Sequence, residues 1–101
     1  MLNHMIQKEI VNQICEHADK EGSGYKNWYC GIAFKPTERL FNDHNVPEKN
    51  SWWIHRNAQT EQNARDTEQY LLKQGFKGGE GGGDSITIYI YAYKILSTTI
   101  E

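Results

Sequence analysis

The sequence predicts an α+β domain: a small, mostly antiparallel three-stranded sheet packed with three helices, in the order α-β-α-β-α-β. Three observations predict it. Leu2, Ile6, Ile10, Ile14 and Ala18 recur every four residues, the mark of an amphipathic helix. Ile86, Ile88, Ile90 and Ala92 alternate with Thr87, Tyr89, Tyr91 and Tyr93, the mark of a strand. Between these ends, aromatic-rich runs alternate with helix-forming ones. The 101 residues, 38% hydrophobic and 12% aromatic, suit one domain with a thin core.

Each element has a local reason. The first helix, within residues 1–22, ends at the turn "EGSG". "YKNWYCGIAF" follows, apolar and aromatic between Gly24 and Pro36, and reads as a strand. Pro36 suits a first helical turn, so a helix of about ten residues is expected to run to Asn45, before Pro47. "NSWWIHRNA" reads as the second strand. Thr60 to Gly75 is the clearest helix, with Thr60 as N-cap, Glu61 and Arg65 four apart, and Gly75 as its stop. The core then spans 25–76, a Gly-rich loop 77–84, and the last strand 85–96.

Eleven Lys and Arg against 13 Asp and Glu give a net charge of -2. That excludes a bulk-basic nucleic-acid binder, so any nucleic-acid contact needs a local basic patch. No apolar run approaches the roughly 18 residues of a membrane span. The start of the chain has no basic, then apolar, leader pattern. A cytoplasmic protein is expected, with Cys15 and Cys30 as thiols rather than a disulfide.

Glu68 is the most informative single residue. It falls inside the apolar stripe of Ala64, Leu71 and Leu72, and an inward carboxylate is costly unless paired or bound to a cation. Arg39 shares a helical face with Asp43, either as a surface ion pair or as a guanidinium free to clamp phosphate. His4, His17, His44 and His55 have no zinc spacing. "GGEGGGD" is not a Walker loop, because it lacks the Gly-Lys-Ser/Thr ending and leads into a strand. The tyrosine ladder reads as sheet packing before it reads as a stacking platform.

"YCGIAFKPTERL" resembles the second half of the GIY-YIG nuclease motif: Tyr29 and Gly31 match its Tyr-x-Gly, and Arg39 lies at the family's distance. "ARDTEQYLL" is similar to the family's helix with a metal-binding glutamate, which Glu68 matches. The likeness covers about Trp28 to Leu72. The family's first strand has no counterpart before Tyr29, but "AYKI" near the C-terminus resembles it, which implies a permuted order with Tyr93, or Tyr91, beside Tyr29. The resemblance implies a divalent-metal-dependent cut of a phosphodiester. Glu68 would hold Mg2+ or Mn2+. Arg39 would stabilise the phosphoryl charge, and Tyr29, Tyr93 and His44 would complete the catalytic set. Gly31, Lys35, Arg39 and Arg56 would meet the nucleic acid, DNA ahead of RNA. In the family the histidine stands four residues after the arginine. Here Asp43 does, and on an α-helix His44 lies about 140° round from Arg39, pointing away. Two other readings are an inactive domain of the same shape that binds nucleic acid or protein, and an interaction module built on Trp52 and Trp53.

Overall fold

The computed structural model describes residues 2–22, 24–48, 52–78 and 87–101, with the backbone alone for 2–6. Three helices and a three-stranded antiparallel sheet make up the described chain. Helix α1 is Leu2–Glu21, and Gly22 ends it at φ 80. Its buried stripe is Ile10, Val11, Ile14 and Ala18. Leu2 and Ile6, which open the sequence's stripe, have side chains outside the described residues.

The first strand is shorter than the sequence suggests. Tyr25–Asn27 form a 3-10 turn, and β1 is Trp28–Ala33. Tyr25 leaves the sheet and stacks on Phe76, ring centroids 5.0 Å apart. The predicted ten-residue helix also divides. Helix α2 covers only Pro36–Glu38, and Arg39–Asp43 is one π-helical turn closed by His44 N–H donating to Arg39 O at 2.8 Å. Strand β2 is Trp53–Asn57, and Asn50 and Ser51 of the expected strand lie outside the described residues.

Helix α3, Glu61–Gln74, follows the sequence signals closely. Thr60 Oγ1 accepts from Asn63 N–H at 3.0 Å, and Glu61 pairs with Arg65 at 2.7 Å. Gly75 at φ 115 donates its N–H to Leu72 O, and Phe76 N–H goes to Leu71 O. That is the left-handed helix end which glycine adopts without a Cβ clash. Strand β3 is Tyr89–Lys94, and Ser85 and Ile86 of the expected strand lie outside the described residues. Most of the Gly-rich loop does too. Its first residue, Lys77, bridges β1 instead: Cys30 N–H donates to Lys77 O and Lys77 N–H to Trp28 O, both at 2.8 Å.

The sheet order is β1-β3-β2, so the last strand is the central one. It pairs antiparallel with both neighbours, Tyr93 opposite Tyr29 and Trp53, and Tyr91 opposite Gly31 and His55. Strand alternation then separates two faces. Trp28, Cys30, Ile32, Ile54, Ile90 and Ala92 meet α1 and α3 in the larger core. Tyr29, Trp53, Tyr91 and Tyr93 face the other way, where Leu40, Phe41 and Val46 cover them. Fully burying an aliphatic side chain such as Ile14 contributes about 1.5–3 kcal/mol.

Candidate functional site

The second face carries the chemistry. Tyr29 stacks on Tyr93, ring centroids 5.2 Å apart and planes 27° apart, because the register sets their Cα atoms opposite each other. Tyr91 lies across Gly31. A Cβ on Gly31 would stand 2.6 Å from Tyr91 Cζ, so the glycine exists to let the phenol ring pass over the strand. This gives Gly31 a packing role, which a Tyr-x-Gly match by itself does not reveal.

His44 stands at the centre of the cluster rather than pointing away. That expectation rests on α-helical geometry, but in a π turn the i→i+5 bond stacks residue 44 over residue 39. His44 is 3% exposed. Nε2 is 2.8 Å from Tyr91 Oη, Nδ1 is 2.6 Å from Ile100 O, and Tyr93 Oη is 3.1 Å from Nδ1. The Tyr29 ring packs 5.0 Å from the imidazole.

Arg39 borders this cluster. It lies near enough to Tyr91 to feel its hydroxyl and pairs with Asp43 at 3.0 Å, both partners of that pair about half exposed. Burial pulls the guanidinium down, but Tyr91 and Asp43 outweigh it and the net shift is upward. Burial pushes the Tyr91 phenol up to about 12, against the pull of Arg39. Burial raises Tyr93 as well, helped by the neighbouring phenols. His44 is held below its ordinary value by burial, opposed by the Ile100 carbonyl and reinforced by Arg39. The resting state is therefore a neutral imidazole between two protonated phenols. Tyr29 is half-buried, and Arg39 is exposed. These two present the cluster to solvent.

Other predicted residues lie elsewhere. Glu68 is buried at 3% exposure, as its place in the stripe of α3 predicts. It is on the α1–α3 side of the sheet, where its charge helps burial to raise the Cys30 thiol. Tyr29 is on the opposite side. A Mg2+ or Mn2+ on a single carboxylate keeps several waters, whereas Glu68 is almost wholly closed off from solvent. Among the described residues no group of three or more His, Cys, Asp and Glu side chains stands together. The residues around Tyr29 thus do not fit a cation held by Glu68. Arg56 is also on the α1 side, bonded to Gln13 Oε1 at 2.5 Å. Lys35 is exposed beside Glu38, 4.0 Å away, on the loop that leads to Arg39.

Trp52 and Trp53 do not form a free aromatic patch. Lys94 sits 5.8 Å over the Trp52 ring, and Trp53 meets Phe41 edge-on and donates its indole N–H to Glu48 O. Two grooves, of about 270 and 230 Å³, run along α1, lined by Gln7, Val11 and Tyr70 and by Gln13, His17 and Arg56. Neither includes the tyrosines of the cluster on the other face.

No protein-family model matches the chain, and no curated protein or solved structure matches it as a relative. None of the described helices is long and apolar enough to cross a membrane.

Proposed function

We propose that the chain is a nucleic-acid phosphodiester-cleaving domain of the GIY-YIG kind in permuted order. One observation carries the proposal: the C-terminal strand, inserted between β1 and β2, sets Tyr93 against Tyr29 on the face where Arg39 and His44 converge. In this reading Arg39, at the solvent edge, binds the phosphate and stabilises the charge that grows on its oxygens during in-line attack. The half-buried Tyr29 hydroxyl orients the attacking water. Tyr91 and His44 hold Arg39 and Tyr29 from beneath. DNA is the first substrate to test.

The test is cleavage of plasmid and labelled oligonucleotides with Mg2+ or Mn2+ by wild type, Tyr29→Phe and Glu68→Ala. The proposal expects cleavage that Tyr29→Phe lowers by at least about tenfold. Full activity in Tyr29→Phe contradicts it. Loss of activity in a folded Glu68→Ala would return the carboxylate to the reaction and overturn its placement as a buried residue of the far side.

A second reading is favoured by the burial of Tyr91, Tyr93 and His44 and by the distant side on which Glu68 lies. It is an inactive domain of the same shape that holds nucleic acid through Arg39 and Lys35. Binding without cleavage, weakening steeply with salt, identifies it.

A further inference from the structure

The end of the chain returns to His44. Ile100 N–H donates to His44 O at 2.8 Å, and Ile100 O accepts from the imidazole Nδ1 at 2.6 Å. One residue thus grips both the backbone and the ring. Asn45 Nδ2 donates to Thr98 O at 3.0 Å, and Thr99 closes a turn onto Leu96 through N–H and Oγ1. The Ile100 side chain is 60% exposed, so its main-chain bonds, not apolar burial, hold it there.

A carbonyl oxygen can only accept. Nδ1 must therefore carry a proton, and in the neutral imidazole Nε2 is then bare and accepts from the Tyr91 hydroxyl. We infer that residues 97–101 are a positioning strap, in which the Ile100 carbonyl fixes His44 as the Nδ1–H tautomer and makes Nε2 the acceptor of the Tyr91 proton. The consequence reaches Arg39. With Nε2 bare, the Tyr91 proton is committed to the imidazole, and the hydroxyl's lone pairs stay free to accept from a neighbouring donor such as the Arg39 guanidinium. With Nε2 protonated, its N–H would compete with Arg39 for that oxygen. The groups around His44 are Arg39 and Asp43 of the π turn, Tyr91 and Tyr93 of β3, Tyr29 of β1 and Glu101 of the strap. The tautomer stands by itself; only its effect on cleavage rests on the proposed function.

Imidazole 15N spectra at mildly alkaline pH test it. Wild type is expected to show His44 protonated at Nδ1 and bare at Nε2. Ile100→Pro removes the N–H given to His44 O while leaving the core intact. Asn45→Gly removes the bond to Thr98 and keeps the φ of 56 accessible. Both variants are expected to average the two tautomers, Ile100→Pro more fully. A wild-type imidazole protonated at Nε2 overturns the inference. So does an unchanged wild-type pattern in both variants. If Ile100→Pro does not fold, Asn45→Gly and wild type decide. In the cleavage assay the variants are expected to lower kcat about tenfold with KM unchanged. Absence of cleavage by wild type refutes the proposed function and leaves the spectra to decide the strap.

Discussion

Gly31→Ala puts the packing of the site to a quantitative test. The added Cβ would stand 2.6 Å from Tyr91 Cζ and in harder contact with Oη. An ordinary carbon contact needs about 3.5–4.0 Å, so the ring must retreat by about 1 Å. The Tyr91 Oη to His44 Nε2 bond is 2.8 Å, and a displacement of about 1 Å is enough to disrupt its geometry. Overpacking costs about 1–3 kcal/mol. The lost buried bond adds about 1 kcal/mol. The sum, about 2–4 kcal/mol, lowers Tm by roughly 10–25 °C for a domain of this size. Urea unfolding of wild type, Gly31→Ala, Tyr91→Phe and the double variant measures it as a cycle. Tyr91→Phe is expected to cost about 1 kcal/mol in wild type and under about 0.5 kcal/mol in the Gly31→Ala background, where the bond is already broken. A Gly31→Ala cost under about 0.5 kcal/mol, or strictly additive variants, would refute the placement of Tyr91 over Gly31.

Other consequences follow from the same contacts. His44 and His55 both have folded pKa values held below the ordinary one, mainly by burial, so the unfolded chain binds more protons in acid. Their stability contribution is complete above the unfolded value of about 6.5 and is lost as pH falls through the folded value. Urea midpoints should fall from neutral pH to about pH 5, and less so in His44→Asn; an identical fall in that variant contradicts the assignment to His44. Near-ultraviolet titration should show Tyr91 ionising only near its raised value of about 12, so Tyr91→Phe removes a late step and not an early one. Thr60→Ala deletes the acceptor for Asn63 N–H and should cost about 1 kcal/mol by urea unfolding. Asp43→Ala breaks a half-exposed pair and should change stability by under about 1 kcal/mol.

The sequence carries α3 almost entirely, because Thr60, Glu61, Arg65 and Gly75 act through neighbours three to five residues away. The inward aim of Glu68 was legible for the same reason, since stripe position decides burial. Which side of the sheet α3 covers was not, because periodicity within one helix says nothing of the layer it joins. The π turn at Arg39–Asp43 was hidden as well. Its i→i+5 bond goes with the burial of Leu40 and His44 against other parts of the chain, and no residue type marks it. That hidden turn reverses the direction of His44. The juxtaposition of Tyr93 and Tyr29 was implied by the resemblance of "AYKI" to a missing strand, and the β1-β3 register sets the two residues opposite each other. The Ile100 contact had no signal at all. It is made by main-chain atoms 56 residues from His44, and an exposed isoleucine offers no chemistry to notice.

Arg39 is where the cluster meets solvent, so the most direct measurement is the initial rate at which equally folded wild type and Arg39→Ala cut a labelled DNA oligonucleotide. Wild type is expected to cleave, and the variant to lose about 10²-fold or more, the scale of removing one charge-stabilising donor. Equal rates would contradict that expectation.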